Sequence, residues 1–279
     1  MTLPRHLCIF AALSVLSLAA PQPAAAQGLS TLQSGEGPLE ITADQGIEWR
    51  RKERLYVARG NARAARGALE LYADALTAHY RDTAKGGTEV HRINADGHVR
   101  IVSPGQTVRA DNGVYNVDRA LVELTGRDLR LETEQDLIRA RDSLEYWERQ
   151  HAVVARGNAV AVRGDREIRA DVLTAYFRPD ADGHLEMRTV KADGNVQIST
   201  PTEFARGAGG VYYVTEQLAT LTGAVKITRG ESQLNGEYAE VDLEAGVSRL
   251  LGAPPNQPGD ARVRGLLVPE SLDKSGNGQ

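Results

Sequence analysis

The stretch Ala58-Arg59-Gly60-Asn61-Ala62 decides the fold, because it returns 97 residues later as Ala155-Arg156-Gly157-Asn158-Ala159. The match continues at the same offset, so that residues 95–101 (ADGHVRI) return as residues 192–198 (ADGNVQI). Agreement at one register over about 80 residues indicates a duplicated unit, and repeats of this kind are typical of stacked supersecondary structure.

The duplication divides the chain into a first unit at about 39–135, a second unit at about 136–232 and a partial C-terminal copy. Each unit divides again into copies of roughly 30 residues, a period within the range of known repeat architectures. The copies open with an apolar-x-Ala-Asp pattern and begin near Ile41, Leu71, Val108, Ile138, Ile168 and Ala205, with a decayed copy near Leu234.

Within the copies apolar and polar residues largely alternate, as in Leu121-Val122-Glu123-Leu124 and Leu129-Arg130-Leu131. Alternation with a period of two indicates β-strands that have one inner face and one solvated face. A helix fits worse, because each internal glycine would cost it about 1 kcal/mol. We interpret the repeated Asp-Gly and Gly-Asn pairs as turns between short strands. The predicted fold class is therefore all-β, an elongated stack of antiparallel repeats.

The two ends of the sequence differ from the repeats. Arg5, an apolar run over 7–20 and small residues ending at Ala26 have the order of a secretory signal peptide. The run is shorter than the roughly 20 residues of a membrane-spanning helix. We expect cleavage that removes 1–26, with an uncleaved anchor as the alternative. Cys8 lies in this segment, so the mature chain would lack disulfides. Residues 27–38 are predicted as a flexible lead-in, and 254–279 as a loop and disordered tail.

Composition and motifs argue against catalysis and nucleic-acid binding. The formal net charge is −4, and acidic and basic residues are interspersed without a basic block. The six histidines show no metal-ligand spacing, so we expect neither a metal nor a cofactor. The Ala-Asp carboxylates recur in copy after copy, whereas a catalytic pair is needed once. We interpret them as structural groups at strand ends or turns, and we expect no catalytic residue and no enzyme.

Three successive segments carry a resemblance to a known family. They are Ile41-Thr42-Ala43-Asp44, the stretch 58–62 and Leu69-Glu70-Leu71-Tyr72-Ala73-Asp74, and a later element, Leu121-Val122-Glu123-Leu124-Thr125-Gly126, follows the same pattern. In this order they resemble the OstA-like domain of the LptA family of periplasmic lipopolysaccharide transport proteins. The resemblance covers roughly Leu39 to Leu251, and order, repetition and the N-terminal segment together make it specific.

The resemblance implies a periplasmic, open β-jellyroll that carries lipopolysaccharide from the inner to the outer membrane. Its inner face would shield the acyl chains of lipid A. Strand edges would join an LptC-like inner-membrane partner and an LptD-like outer-membrane partner, with head-to-tail assembly of copies. Because the chain has more copies than a compact member, we expect a longer groove. The expected groove residues are Leu39, Ile41, Leu69, Leu71, Val99 and Ile101, with Ile138, Ile168, Val196 and Ile198 in the second unit.

Other interpretations remain open at this point. Within the same pathway, the chain fits an LptC-like component if its anchor is uncleaved, or a detached domain similar to the N-terminal part of LptD. A structural β-solenoid that scaffolds the envelope would bind no lipid, and a groove filled by its own side chains would favour it. A β-helical polysaccharide-active enzyme would need an unrepeated cluster of acids on one face, which the sequence does not contain.

Overall fold

The computed structural model describes residues 39–84, 86–181, 183–242, 244–245, 247–255 and 262–268. The predicted signal peptide and lead-in, and 256–261 and 269–279 of the predicted tail, lie outside these residues. A short 3₁₀ helix spans Glu148–Gln150. In chain order the strands are β1 (Glu40–Thr42), β2 (Ile47–Arg50), β3 (Leu55–Arg66), β4 (Leu69–Asp82), β5 (Thr88–Ser103), β6 (Gln106–Asn116), β7 (Leu121–Thr125), β8 (Arg130–Thr133), β9 (Asp136–Arg139), β10 (Ser143–Trp147), β11 (Ala152–Arg163), β12 (Arg166–Pro179), β13 (Leu185–Ser199), β14 (Glu203–Tyr213), β15 (Leu218–Arg229), β16 (Ser232–Asp242), β17 (Val247–Leu251) and β18 (Arg264–Leu266).

The strands form one antiparallel stack in which each long strand pairs with the next along the chain. Four pairs of short strands share a rung: β1 with β2, β7 with β8, β9 with β10 and β17 with β18. The 18 strands therefore make 14 rungs, and at about 4.8 Å per rung the stack is roughly 60 Å long. The prediction of an all-β stack of antiparallel repeats, an open β-jellyroll, is confirmed.

The glycine pairs lie inside long strands, so their interpretation as turns between short strands is wrong. Gly60 and Asn61 in β3 have φ of +76° and +44°, and Gly157 and Asn158 in β11 have φ of +83° and +46°. Glycine and asparagine tolerate these values better than other residues do. The strand registers shift at these pairs, which marks β-bulges that bend a strand without ending it. The result is strands of up to 16 residues.

The recurring carboxylates hold these bulges in place. Asp171 in β12 accepts a hydrogen bond of 2.8 Å from the Asn195 side chain at the bulge of β13. Asp74 makes the equivalent 2.8 Å contact with His98 in the first unit. The aspartates thus have the structural role expected of them, but most lie in mid-strand at a bend and not at strand ends.

Two continuous apolar rows run along the stack, one on each side of the bends. The first, the isoleucine row, is linked strand by strand through direct cross-strand pairs: Ile41, Ala64, Leu71, Ile101, Val108, Leu131, Ile138, Ala161, Ile168, Ile198, Ala205, Ile227 and Leu234. The second row pairs leucines with small residues, as in Leu124–Leu144–Ala155–Leu173–Ala192. Members of both rows pack into one core. Each residue faces inward because the strand period is two.

The predicted loop and tail at 254–279 is wrong in one place. Arg264–Leu266 forms β18, which pairs with Gln233–Asn235 of β16. The isolated arginine and the glycine in this short segment concealed its strand character, and the edge of β16 provides the backbone partners that the segment alone lacks.

Candidate functional site

An apolar cavity lies mainly within the second unit and reaches the last strands of the first. A cavity of about 360 Å³ is lined by residues from β6 to β16, most of them in the second unit. Its interior is apolar and includes Ile138, Ile168, Phe177, Val190, Val196 and Ile198. The two apolar rows meet here without filling the space between them. A cavity of this size lies at the lower end of the range of small-molecule sites, about 300–1,000 Å³.

Charged and hydroxyl groups surround one side of the cavity. This rim consists of Asp136, Arg163, Arg166, Glu167, Thr200 and Glu203, which lie at the ends of successive strands where the chain turns from one rung to the next. The geometry is that of an amphiphile site, with an apolar interior beside a polar border.

The best-formed contact of the rim is an ion pair. The Arg163 guanidinium donates two hydrogen bonds of 2.6 Å to the two carboxylate oxygens of Asp136, and the side chains are only 22% and 24% exposed. These bonds raise the pKa of Arg163, although burial opposes the shift. Two-point contacts of this type fix both side chains.

A second pair on the rim is looser. The backbone N–H of Glu203 donates 3.0 Å to Thr200 Oγ1, and the Glu203 carboxylate lies 3.8 Å from the Arg229 guanidinium. Burial raises the pKa of Glu203, and Arg229 offsets only part of that shift. Burial likewise raises the pKa of Tyr212, which lines the cavity. Ionisation of the Glu203 carboxylate therefore carries a desolvation cost.

The structure places the ten predicted groove residues in three settings. Ile138, Ile168, Val196 and Ile198 line the cavity. Leu69, Leu71, Val99 and Ile101 are buried in the core of the first unit. Leu39 and Ile41 are exposed near the N-terminal edge of the stack. Six of the ten belong to the isoleucine row, and of these only the second-unit members line the cavity.

Sequence reasoning missed the rim and part of the cavity wall. The missed wall residues include Met187, Val190, Ala205 and Tyr212. A signal for them is present in the repeat itself, because several positions that match at the 97-residue offset differ in size or charge between the units. Leu69 corresponds to Arg166 of the rim, for example.

The two ends of the stack are open strand edges. At the N-terminal edge, β1 and β2 each pair only with β3 among the described strands, and Ile47 and Trp49 are more than half exposed. At the C-terminal edge, β17 and β18 pair only with β16 within the described segments, and Leu266 is 62% exposed. Unpaired edges with exposed apolar side chains can accept another strand.

The described residues contain no group of three or more histidine, cysteine, aspartate or glutamate side chains that could hold a metal ion. Over the same part of the chain, no helix has the length and apolar character needed to span a membrane.

Comparison with known proteins adds a family. The family described as "LptA/(LptD N-terminal domain) LPS transport protein" matches the chain twice, at residues 40–142 and 137–247, and the two matches follow the duplication. Among curated proteins, none matches significantly. One matching solved structure is LptH from Pseudomonas aeruginosa, the LptA homologous periplasmic component of the lipopolysaccharide transport device. It is 14% identical with a TM-score of 0.23, and the alignment covers 84% of this chain and 97% of that chain.

Proposed function

Because the chain belongs to the LptA and LptD N-terminal-domain family of lipopolysaccharide transport proteins, we propose that it carries lipopolysaccharide across the periplasm and shields lipid A acyl chains in its cavity. The family is one of lipopolysaccharide transport proteins, and lipopolysaccharide transport is the general role of this chain. The proposal that the chain shields lipid A acyl chains rests on the cavity and its polar rim.

The cavity supports a carrier more than a scaffold. Burying each methylene of an acyl chain contributes about 0.8 kcal/mol, so an apolar space of about 360 Å³ favours a chain over water. A β-solenoid that served only as a scaffold would be expected to fill this space with its own side chains. The hollow therefore favours an occupant from outside.

The charges of the rim support acyl contact as the main source of affinity. The chain carries a formal charge of −4, and neighbouring arginines partly neutralise the rim carboxylates Asp136 and Glu203. An anionic glycolipid gains little net attraction from such a border. We expect its affinity to depend weakly on salt concentration, because salt screens charge contacts and not apolar ones.

The open edges support head-to-tail assembly and contact with LptC-like and LptD-like membrane partners. β-Augmentation of the β1/β2 edge by a β17/β18 edge would continue both apolar rows into the next molecule. The expected location is the periplasm, reached after removal of 1–26.

Photocrosslinking in cells tests the proposal. A photoreactive residue at Ile198, which lines the cavity, should crosslink to lipopolysaccharide, whereas one at its outward-facing neighbour Gln197 should not. The two positions are adjacent on β13, so the comparison depends mainly on which face of the strand the probe occupies. Equal labelling at both positions, or none at Ile198 in folded protein, would remove the support for a lipid-shielding cavity.

A further inference from the structure

Resting on the carrier function proposed above, we infer that the acyl-chain site is concentrated in the second unit and reaches only the last strands of the first, β6 to β8, and that the buried core of β3 to β5 takes no lipid. The duplication allows the two units to be compared residue by residue, because residues 97 apart occupy equivalent positions on equivalent strands.

Two core valines of the first unit are alanines in the second. Val108 and Ala205 each pair with the matching isoleucine of the isoleucine row, yet Val108 is buried and Ala205 is half-buried. Val122 and Ala219 pair with the matching tyrosines Tyr115 and Tyr212, and again only the first-unit residue is buried. Each change removes two methyl groups from the interior. Both alanines line the cavity, and Val108 and Val122 border it from the first-unit side.

The residues that keep their size become more exposed in the second unit. Ile101 is 4% exposed, whereas Ile198 is half-buried; Leu71 is likewise buried and its counterpart Ile168 is half-buried. Since these side chains are equally large, their exposure comes from the space opened around them and not from their own shape. The cavity thus follows from substitutions at a few equivalent positions of the two repeat units.

The residues that close the strand ends of the first unit are also replaced in the second. In the first unit the strand ends are closed by three buried residues, Leu69, Ser103 and Gln106. At the 97-residue offset these become Arg166, Thr200 and Glu203, which belong to the rim of the cavity and are half-buried. An apolar or neutral seal has therefore become a charged border at the position where the interior has become hollow. The two changes together fit an occupant with an apolar chain and a polar head.

Parallel photocrosslinking with purified lipopolysaccharide separates this inference from the carrier function. Full-length mature protein would carry a photoreactive residue at Ile198 or at its repeat counterpart Ile101. Labelling at Ile198 at least tenfold above Ile101 is the expected result. Equal labelling would overturn the second-unit site while leaving the carrier function standing, and absence of labelling at both would overturn the two together.

An exchange of residues gives an independent test. The double variant Ala205→Val/Ala219→Val copies the first-unit core into the second unit and should weaken lipopolysaccharide binding about tenfold, since excluding two methylenes from burial has roughly that effect. The control Val99→Ala/Ile101→Val, at buried first-unit positions that do not line the cavity, should lower thermal stability and leave affinity unchanged. Unchanged affinity of the first variant, with a native circular-dichroism spectrum, or weakened affinity of the control, would contradict the inference.

Discussion

At the scale of single residues, the ion pair between Arg163 and Asp136 anchors the rim. Both side chains are less than one quarter exposed, and two 2.6 Å hydrogen bonds join them. We expect Asp136→Asn to lower the free energy of unfolding by about 1–2 kcal/mol, because it leaves a half-buried guanidinium with a weaker acceptor. Urea denaturation followed by circular dichroism measures the change.

The exposed pair Arg81–Asp118 provides the control for this substitution. It has similar two-point geometry, with bonds of 2.7 and 2.8 Å, but its side chains are about half exposed. Asp118→Asn should therefore have a smaller effect, since solvent screens exposed pairs. Equal losses from the two substitutions would show that burial does not strengthen the rim pair.

Glu203 gives the rim a dependence on pH. Burial raises its pKa in the folded chain, so the folded state binds a proton that the unfolded state has already lost. Stability contributed by this residue is therefore lost as the pH rises from the ordinary glutamate range through the raised pKa. We expect Glu203→Gln to raise the midpoint of thermal unfolding at pH 7 and to have a much smaller effect near pH 4, where most of the glutamate is protonated in both states. A stabilisation that persisted unchanged at pH 4 would rule out titration as its cause.

At the scale of the strand, the bulge is the element that gives the stack its form. Gly194 in β13 has φ of +76°, and a Cβ there would lie 2.2 Å from Asp171 Oδ2, the atom that accepts the bond from Asn195. Gly194→Ala should cost about 3 kcal/mol or more in unfolding free energy, from backbone strain and from displacement of the carboxylate.

Gly164 is the matched control for the bulge. It also has positive φ, +58°, but a Cβ there would meet no atom within 4 Å. Gly164→Ala should therefore cost only the backbone strain, about 1–2 kcal/mol. Similar unfolding curves for the two variants would mean that the carboxylate contact contributes nothing to the bend.

The sequence predicts the strands well and the bulges poorly, for a physical reason. Alternation in segments such as Leu121-Val122-Glu123-Leu124 reports the two faces of a strand directly. A Gly-Asn pair reports only that the backbone takes positive φ, which both a turn and a bulge require. What distinguishes them is whether pairing resumes beyond the pair, and that depends on the neighbouring strand.

The cavity is less predictable than the fold because it is a property of volume across strands. Ile101 and Ile198 have the same residue type and the same pairing, and alternation directs both inward correctly. The cross-strand partner of Ile198 is Ala205, whereas that of Ile101 is the larger Val108, and Ile198 lies beside open space. A periodicity within one strand contains no information about its neighbours, whereas comparison of the two units does.

At the scale of the whole molecule, the two open edges predict self-association with a direction. Ile47 on β2 and Leu266 on β18 are exposed at opposite ends of the stack. Sedimentation of the unaltered protein should show a concentration-dependent series of oligomers. Ile47→Lys or Leu266→Lys should each abolish it, because a lysine on an edge strand opposes strand addition. Mixing the two variants should restore dimers and nothing larger, since each retains one intact edge.

Tyr176→Lys is the control for these edge variants, because Tyr176 is also exposed, at 41%, but lies on β12 within the stack. It should leave the series of oligomers intact. A wild-type chain that remains monomeric at every concentration, or a mixture that forms long oligomers, would contradict head-to-tail pairing through these edges.

The account as a whole depends on where the lipid lies, and a structure of the mature protein bound to lipopolysaccharide would measure that most directly. We predict acyl-chain density inside the second unit, between Ile168 and Ile198 on one side and Val190 and Tyr212 on the other, with the polar head beside the rim. Density on the outer face of the sheet or within the core of the first unit, or an empty cavity at saturating lipid, would contradict it.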